Sequence, residues 1–114
     1  MGKGDYLGEF EQICLLAVII LRENAYGVTI LEEIEGRTGR EPNIGAIYAT
    51  LDRLEKKGFV SSKLGENTAG RSGRPKRYFK IEAPGVDALN RTRQMSERMW
   101  EGVAAPAFAA GWGM

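Results

Sequence analysis

The sequence predicts a mainly α-helical fold closed by one two-stranded antiparallel hairpin, and two observations carry that reading. Apolar residues recur at helical spacing in four stretches, near residues 9–23, 28–35, 43–57 and 84–101. Two short runs, Phe59 to Leu64 and Arg77 to Ile81, flank a glycine-rich basic segment that suits an extended hairpin tip. With 114 residues, 43% apolar and 27% charged with both signs mixed, the chain fits one folded domain.

In the first helix, Phe10, Ile13, Cys14, Ala17 and Leu21 share a stripe, but Leu15, Leu16, Val18, Ile19 and Ile20 fill the other faces. A helix apolar nearly all round must be buried nearly all round. In a domain this thin, that implies contact with its own core and with a second copy. Asn24 to Gly27 breaks the pattern, and a short second helix from Val28 to Glu35 presents Val28, Leu31 and Ile34 inward. Gly36, Gly39 and Pro42 punctuate the following turn.

Asn43 is placed to cap a third helix that reaches Lys57, with Gly58 as its terminating glycine. At ~100° per residue, Ile44, Ile47, Leu51 and Leu54 gather on an inward side. Ala46, Ala49, Arg53 and Lys56 gather opposite, with Tyr48 and Thr50 on the flanks. The loop from Gly65 to Lys76 reads as flexible and basic. Pro84 suits the first turn of a fourth helix that runs to about Glu101, with Ala88, Leu89, Thr92, Met95, Met99, Trp100 and Val103 on one side.

Composition excludes several function classes. The chain holds no histidine, which removes imidazole metal ligands and the commonest general acid or base. Its single cysteine, Cys14, sits in an apolar run and reads as a small buried hydrophobe, compatible with a reducing compartment. No glycine-rich phosphate loop opens a helix. The run from Ile13 to Leu21 is too short to cross a bilayer of ~30 Å. The N-terminus has no secretory pattern. The expectation is therefore a cytoplasmic protein that is no enzyme, holds no cofactor or metal and meets no membrane.

Charge is distributed unevenly. Residues 1–36 carry two basic side chains against seven acidic ones, net −5. Residues 37–81 carry eleven basic against four acidic, net +7, and the remainder is −1. A basic middle between acidic and neutral ends is what one polyanion-facing surface produces.

The order helix, helix, helix, strand, basic loop, strand, helix is that of a winged helix-turn-helix, whose third helix enters the major groove of DNA. Ala46, Ala49, Thr50 and Arg53 then stand where base edges are read, with Asn43 and Tyr48 beside them. Arg71, Arg74, Lys76 and Arg77 offer charge to phosphates. Met99 and Trp100 suit either an adaptable apolar ligand surface or a seam between two copies. A protein-binding adaptor built on the same fold is the rival reading.

Three segments together resemble the PadR family of bacterial regulators: Tyr26-Gly27, the run from Gly45 to Val60, and the run from Gly73 to Ile81. The resemblance spans about residues 7–100. It implies a dimeric transcription regulator, usually a repressor, whose C-terminal helix supports dimerisation. It also implies that Tyr48 contacts the DNA backbone. In a short-tailed branch that includes multidrug-sensing repressors, a tryptophan of the last helix lines a pocket at the dimer interface, and Trp100 is its counterpart. The chain departs from the family at Glu82-Ala83-Pro84-Gly85, where a threonine usually opens the segment. The expected organisation is a DNA-binding domain over residues 1–82, a dimerisation helix over 83–103 and a flexible tail over 104–114. Double-stranded DNA, a second copy and a small apolar effector are the expected partners.

Overall fold

A computed structural model of the chain describes residues 6–65 and 75–103. Helix α1 (Glu9–Leu21) leads through a 3-10 turn (Arg22–Asn24) to α2 (Gly27–Thr38) and α3 (Ile44–Lys56). Strands β1 (Val60–Leu64) and β2 (Arg77–Ile81) follow, and α4 (Ala83–Glu101) closes the described chain.

Local chemistry fixes these boundaries. The Asn43 Oδ1 accepts from the Ala46 N–H at 2.7 Å, which satisfies one of the donors a helix start leaves open. At the other end of α3, the Gly58 N–H donates to the Glu55 carbonyl and the Phe59 N–H to the Leu54 carbonyl, both at 2.9 Å. Gly58 has φ +82°, the left-handed backbone this paired closure requires, and glycine reaches it without a Cβ clash. The Tyr26 N–H donates to Thr29 Oγ1 at 3.0 Å at the entrance to α2.

The first three helices pack on one another around Leu15, Val18, Ile30, Ile34, Ile47, Leu51 and Leu54, all buried. Each such side chain contributes roughly 1.5–3 kcal/mol of burial. Val60 and Phe79 extend this core into the hairpin, and Ala88 extends it onto α4. The strands pair antiparallel from Val60 opposite Ile81 to Leu64 opposite Arg77. A stub of a third strand joins them: the Phe79 N–H donates to the Ala25 carbonyl at 2.8 Å, and Tyr26 lies opposite Tyr78. Helix α4 is tied back at Thr92, a buried hydroxyl that accepts from the Leu7 N–H at 3.0 Å.

Two inward positions differ from expectation. Val28 is 50% exposed, and Ile30 takes the buried place with Ile34. Helix α2 starts at Gly27, and the Ile30–Ile34 pair sets its buried stripe, one step round from the one expected. Ile44 is 41% exposed because it opens α3, a turn ahead of the core contact made by Ile47. The tail expected over 104–114 lies outside the described residues. Among the described residues, no helix is long and apolar enough to cross a membrane.

Candidate nucleic-acid interface

Helix α3 separates its residues by face. Ile47, Leu51 and Leu54 are buried, while Asn43, Ala46, Ala49, Arg53 and Lys56 are exposed. Thr50, expected beside them as a base reader, is only 3% exposed. Positions 47, 50, 51 and 54 form one i, i+3, i+4, i+7 stripe, so the threonine belongs to the packed side. Its hydroxyl accepts from the Arg53 Nη2 at 3.3 Å, which steadies Arg53 on one flank. On the opposite flank Tyr48 is half-buried, its ring lying on Gly27 at the start of α2.

The hairpin is anchored beside this helix. Lys76 is exposed, with its Nζ 5.1 Å from the centre of the Tyr26 ring, and that ring meets Tyr78 edge-on at 5.3 Å. Arg77, expected to offer its charge to phosphate, is engaged within the protein. Its Nη2 lies 2.6 Å from Glu55 Oε1 and 3.0 Å from Asp52 Oδ1, and its Nε donates to Ser62 Oγ at 3.1 Å. The Ser62 hydroxyl in turn donates to Glu55 at 2.9 Å, and the guanidinium stacks 4.8 Å from the Phe79 ring centre. Partial burial works against the Arg77 charge, yet the hydrogen bonds to Glu55 and then Asp52 outweigh it and raise its pKa above the usual arginine value. The strand register brings this about: Arg77 pairs with Leu64 at the far end of the ladder and reaches back over Ser62 to α3. Arg71 and Arg74 lie outside the described residues.

Other cations of the basic middle are also paired. Arg40 bridges Glu9 at 2.9 Å, Lys57 reaches Glu11 at 3.4 Å, and Arg37 pairs with Glu33. Among the described residues of this basic middle, Arg53, Lys56, Lys63, Lys76 and Lys80 have no carboxylate partner within ion-pair distance, and of these Arg53, Lys56 and Lys76 were the ones expected at or beside the interface. The residues that sequence reasoning missed are Asp52 and Glu55. A helical wheel sets Asp52 on the outward face with Ala49 and Lys56, a signal present in the sequence, whereas its pairing with the remote Arg77 leaves no local signal.

Away from α3, a groove of about 620 Å³ runs between α1 and α4, lined by Leu16, Ile19, Val86, Leu89 and Trp100 among others. Trp100 is 60% exposed there; Met99, 72% exposed, does not line the groove. Cys14 is fully buried in α1, and burial pushes its thiol pKa up to about 12. Among the described residues, no group of three or more histidine, cysteine, aspartate or glutamate side chains is arranged to hold a metal ion.

Residues 15–91 match the sequence profile of the transcriptional regulator PadR-like family. No curated protein matches the chain. Among solved structures, the chain is similar to a transcriptional regulator from Clostridium thermocellum, at 22% identity and a TM-score of 0.67, over 80% of this chain and 85% of that one. A PadR family transcription regulator from Clostridium difficile aligns at 25% identity and a TM-score of 0.61, over 78% and 91% of the two chains. A PadR-like transcription factor from Bacteroides fragilis aligns at 23% and 0.68, over 81% and 84%. The fold they share with this chain is the winged helix with a C-terminal helix.

Proposed function

The chain belongs to the PadR-like family of transcriptional regulators, and from that premise we propose that it binds double-stranded DNA as a homodimer and represses transcription by occluding a promoter. The observation that carries this reading is the outward face of α3, where Ala46, Ala49, Arg53 and Lys56 stand exposed together. Small side chains allow the helix to approach base edges, and methyl groups there meet thymine methyls. Arg53 presents donors matched to guanine, and Lys76, with Arg71 and Arg74 of the hairpin loop, supplies charge to phosphates. Asn43 and Tyr48 sit at the start and flank of the same helix, within reach of the backbone that borders the groove.

The dimer reading rests on apolar surface that a single chain leaves in water. Leu16, Ile19 and Ile20 of α1 and Val86 and Trp100 of α4 are all exposed. A second copy laid along these helices covers them. Two reading heads then address half-sites ~10 bp apart on an imperfect palindrome. A small apolar effector seated near Trp100, with Met99 close by in sequence, would alter the spacing of the heads by shifting that seam. Such a regulator works in the cytoplasm, beside its DNA.

Fluorescence anisotropy with a labelled duplex across a salt series tests the reading. The expected result is an affinity that falls steeply and linearly with the logarithm of salt, with a shallower slope for Lys76→Ala. Weak retention that ignores both salt and sequence would overturn it in favour of a protein-binding adaptor.

A further inference from the structure

The cluster formed by Arg77, Asp52, Glu55 and Ser62 joins the hairpin to α3, and none of its four residues is among the DNA contacts proposed above. We propose that Arg77 is a positioning residue that clamps the hairpin to the back half of α3 and masks two carboxylates that would otherwise repel DNA. The proposal rests on the DNA-binding reading above.

The geometry supports both roles. One side chain ties three elements together: it leaves β2, touches Ser62 of β1 at 3.1 Å, and meets Asp52 and Glu55 of α3 at 3.0 and 2.6 Å. Planar, forked donors held by several acceptors fix direction as well as distance, which a lysine cannot reproduce. Ser62 closes the figure by donating to Glu55, and the Phe79 ring, itself buried in the core, backs the guanidinium at 4.8 Å. The angle between hairpin and helix is thereby set by side chains rather than by backbone pairing alone. That angle decides which phosphates the hairpin meets when α3 is seated on its bases.

Masking follows from the wheel of α3. Asp52 shares the outward face with Ala49 and Lys56, and its side chain is 53% exposed. A bare carboxylate at that place opposes a phosphate surface. With Arg77 in contact, the three groups together carry one net negative charge instead of the two that Asp52 and Glu55 would bear alone.

The test uses the full chain, a mixed-sequence duplex of about 30 bp, and a second duplex selected by the wild type from a random library. Arg77→Met is compared with the triple variant Arg77→Met/Asp52→Asn/Glu55→Gln, with thermal melting as a check that each folds. Arg77→Met is expected to bind the mixed duplex about tenfold more weakly. The triple variant is expected to return to within about threefold of wild type with the wild-type salt slope, since the bare carboxylates are gone. Its preference for the selected duplex should stay reduced, because the clamp is still missing.

A triple variant as weak as Arg77→Met, with the salt slope lowered by about one, would identify Arg77 as a phosphate contact and overturn the proposal. Wild-type binding by Arg77→Met would overturn it too, and so would full recovery of duplex preference in the triple variant. A variant that does not fold is replaced by Arg77→Lys, for which retained mixed-duplex affinity with reduced preference is expected and unchanged preference is contrary. Failure of the wild type to bind either duplex counts against the DNA-binding reading instead, so the two failures are distinct.

Discussion

Cys14 lies where α1 meets the rest of the core, and its thiol is held near pKa 12 by burial. An ordinary thiol titrates near 9, so between about pH 9 and 12 the folded state keeps a proton that the unfolded chain has lost. Stability from this group is therefore complete below pH 9 and is lost as pH rises toward 12. Urea melts at about pH 10.5 should find wild type lower by about 2 kcal/mol than at pH 8, with a flatter profile for Cys14→Ala. Parallel profiles for the two proteins would contradict this account. Burial of this thiol was readable from the apolar run around it. The bareness of Gly27 was not, because its cause is remote: a β-carbon there would fall 2.6 Å from Cζ of Tyr48, twenty-one positions along the chain.

At the scale of elements, α3 depends on its cap. Asn43→Ala removes the acceptor for the Ala46 N–H and should cost about 1 kcal/mol, a melting shift of roughly 4–8 °C by calorimetry. Asn43→Asp keeps the acceptor and should melt near wild type; an equal loss in both variants would place the effect elsewhere. Helix ends of this kind were legible in the sequence, as were the four helices and the hairpin, because capping residues, glycines and 3.6-residue periodicity are local signals. Facing was legible only in part. Thr50 looked like a polar flank residue but falls on the stripe of Ile47, Leu51 and Leu54, where position outweighs side-chain type. Ile44 followed the pattern yet opens the helix, outside the packed layer. Arg77 looked like a free cation because its partners, Asp52 and Glu55, lie more than twenty residues earlier and meet it only after the hairpin folds back.

For the whole molecule, the linear charge count overstates the cationic field. Acidic residues of α1 return to the basic middle, Glu9 to Arg40 and Glu11 to Lys57, so part of the +7 is neutralised within the fold. Among the described residues of that stretch, Arg53, Lys56, Lys63, Lys76 and Lys80 are left without a carboxylate within ion-pair distance. The opposite problem is the apolar surface of α1, since Ile19 and Ile20 are exposed on a helix whose other side fills the core. Ile19→Glu sets like charges against each other across the proposed two-fold seam. Sedimentation equilibrium should find wild type dimeric and this variant monomeric, still helical by circular dichroism. A wild type that sediments as a monomer would remove the two-headed reading of DNA.

The most direct measurement addresses the outward face of α3 itself. Ala49→Glu adds a negative charge at the middle of that face, on an exposed position that supports no core packing. Duplex binding measured beside thermal melting should lose about 100-fold or more in affinity at unchanged stability, through repulsion and a blocked approach to the groove. Wild-type affinity in this variant would mean that α3 does not face nucleic acid.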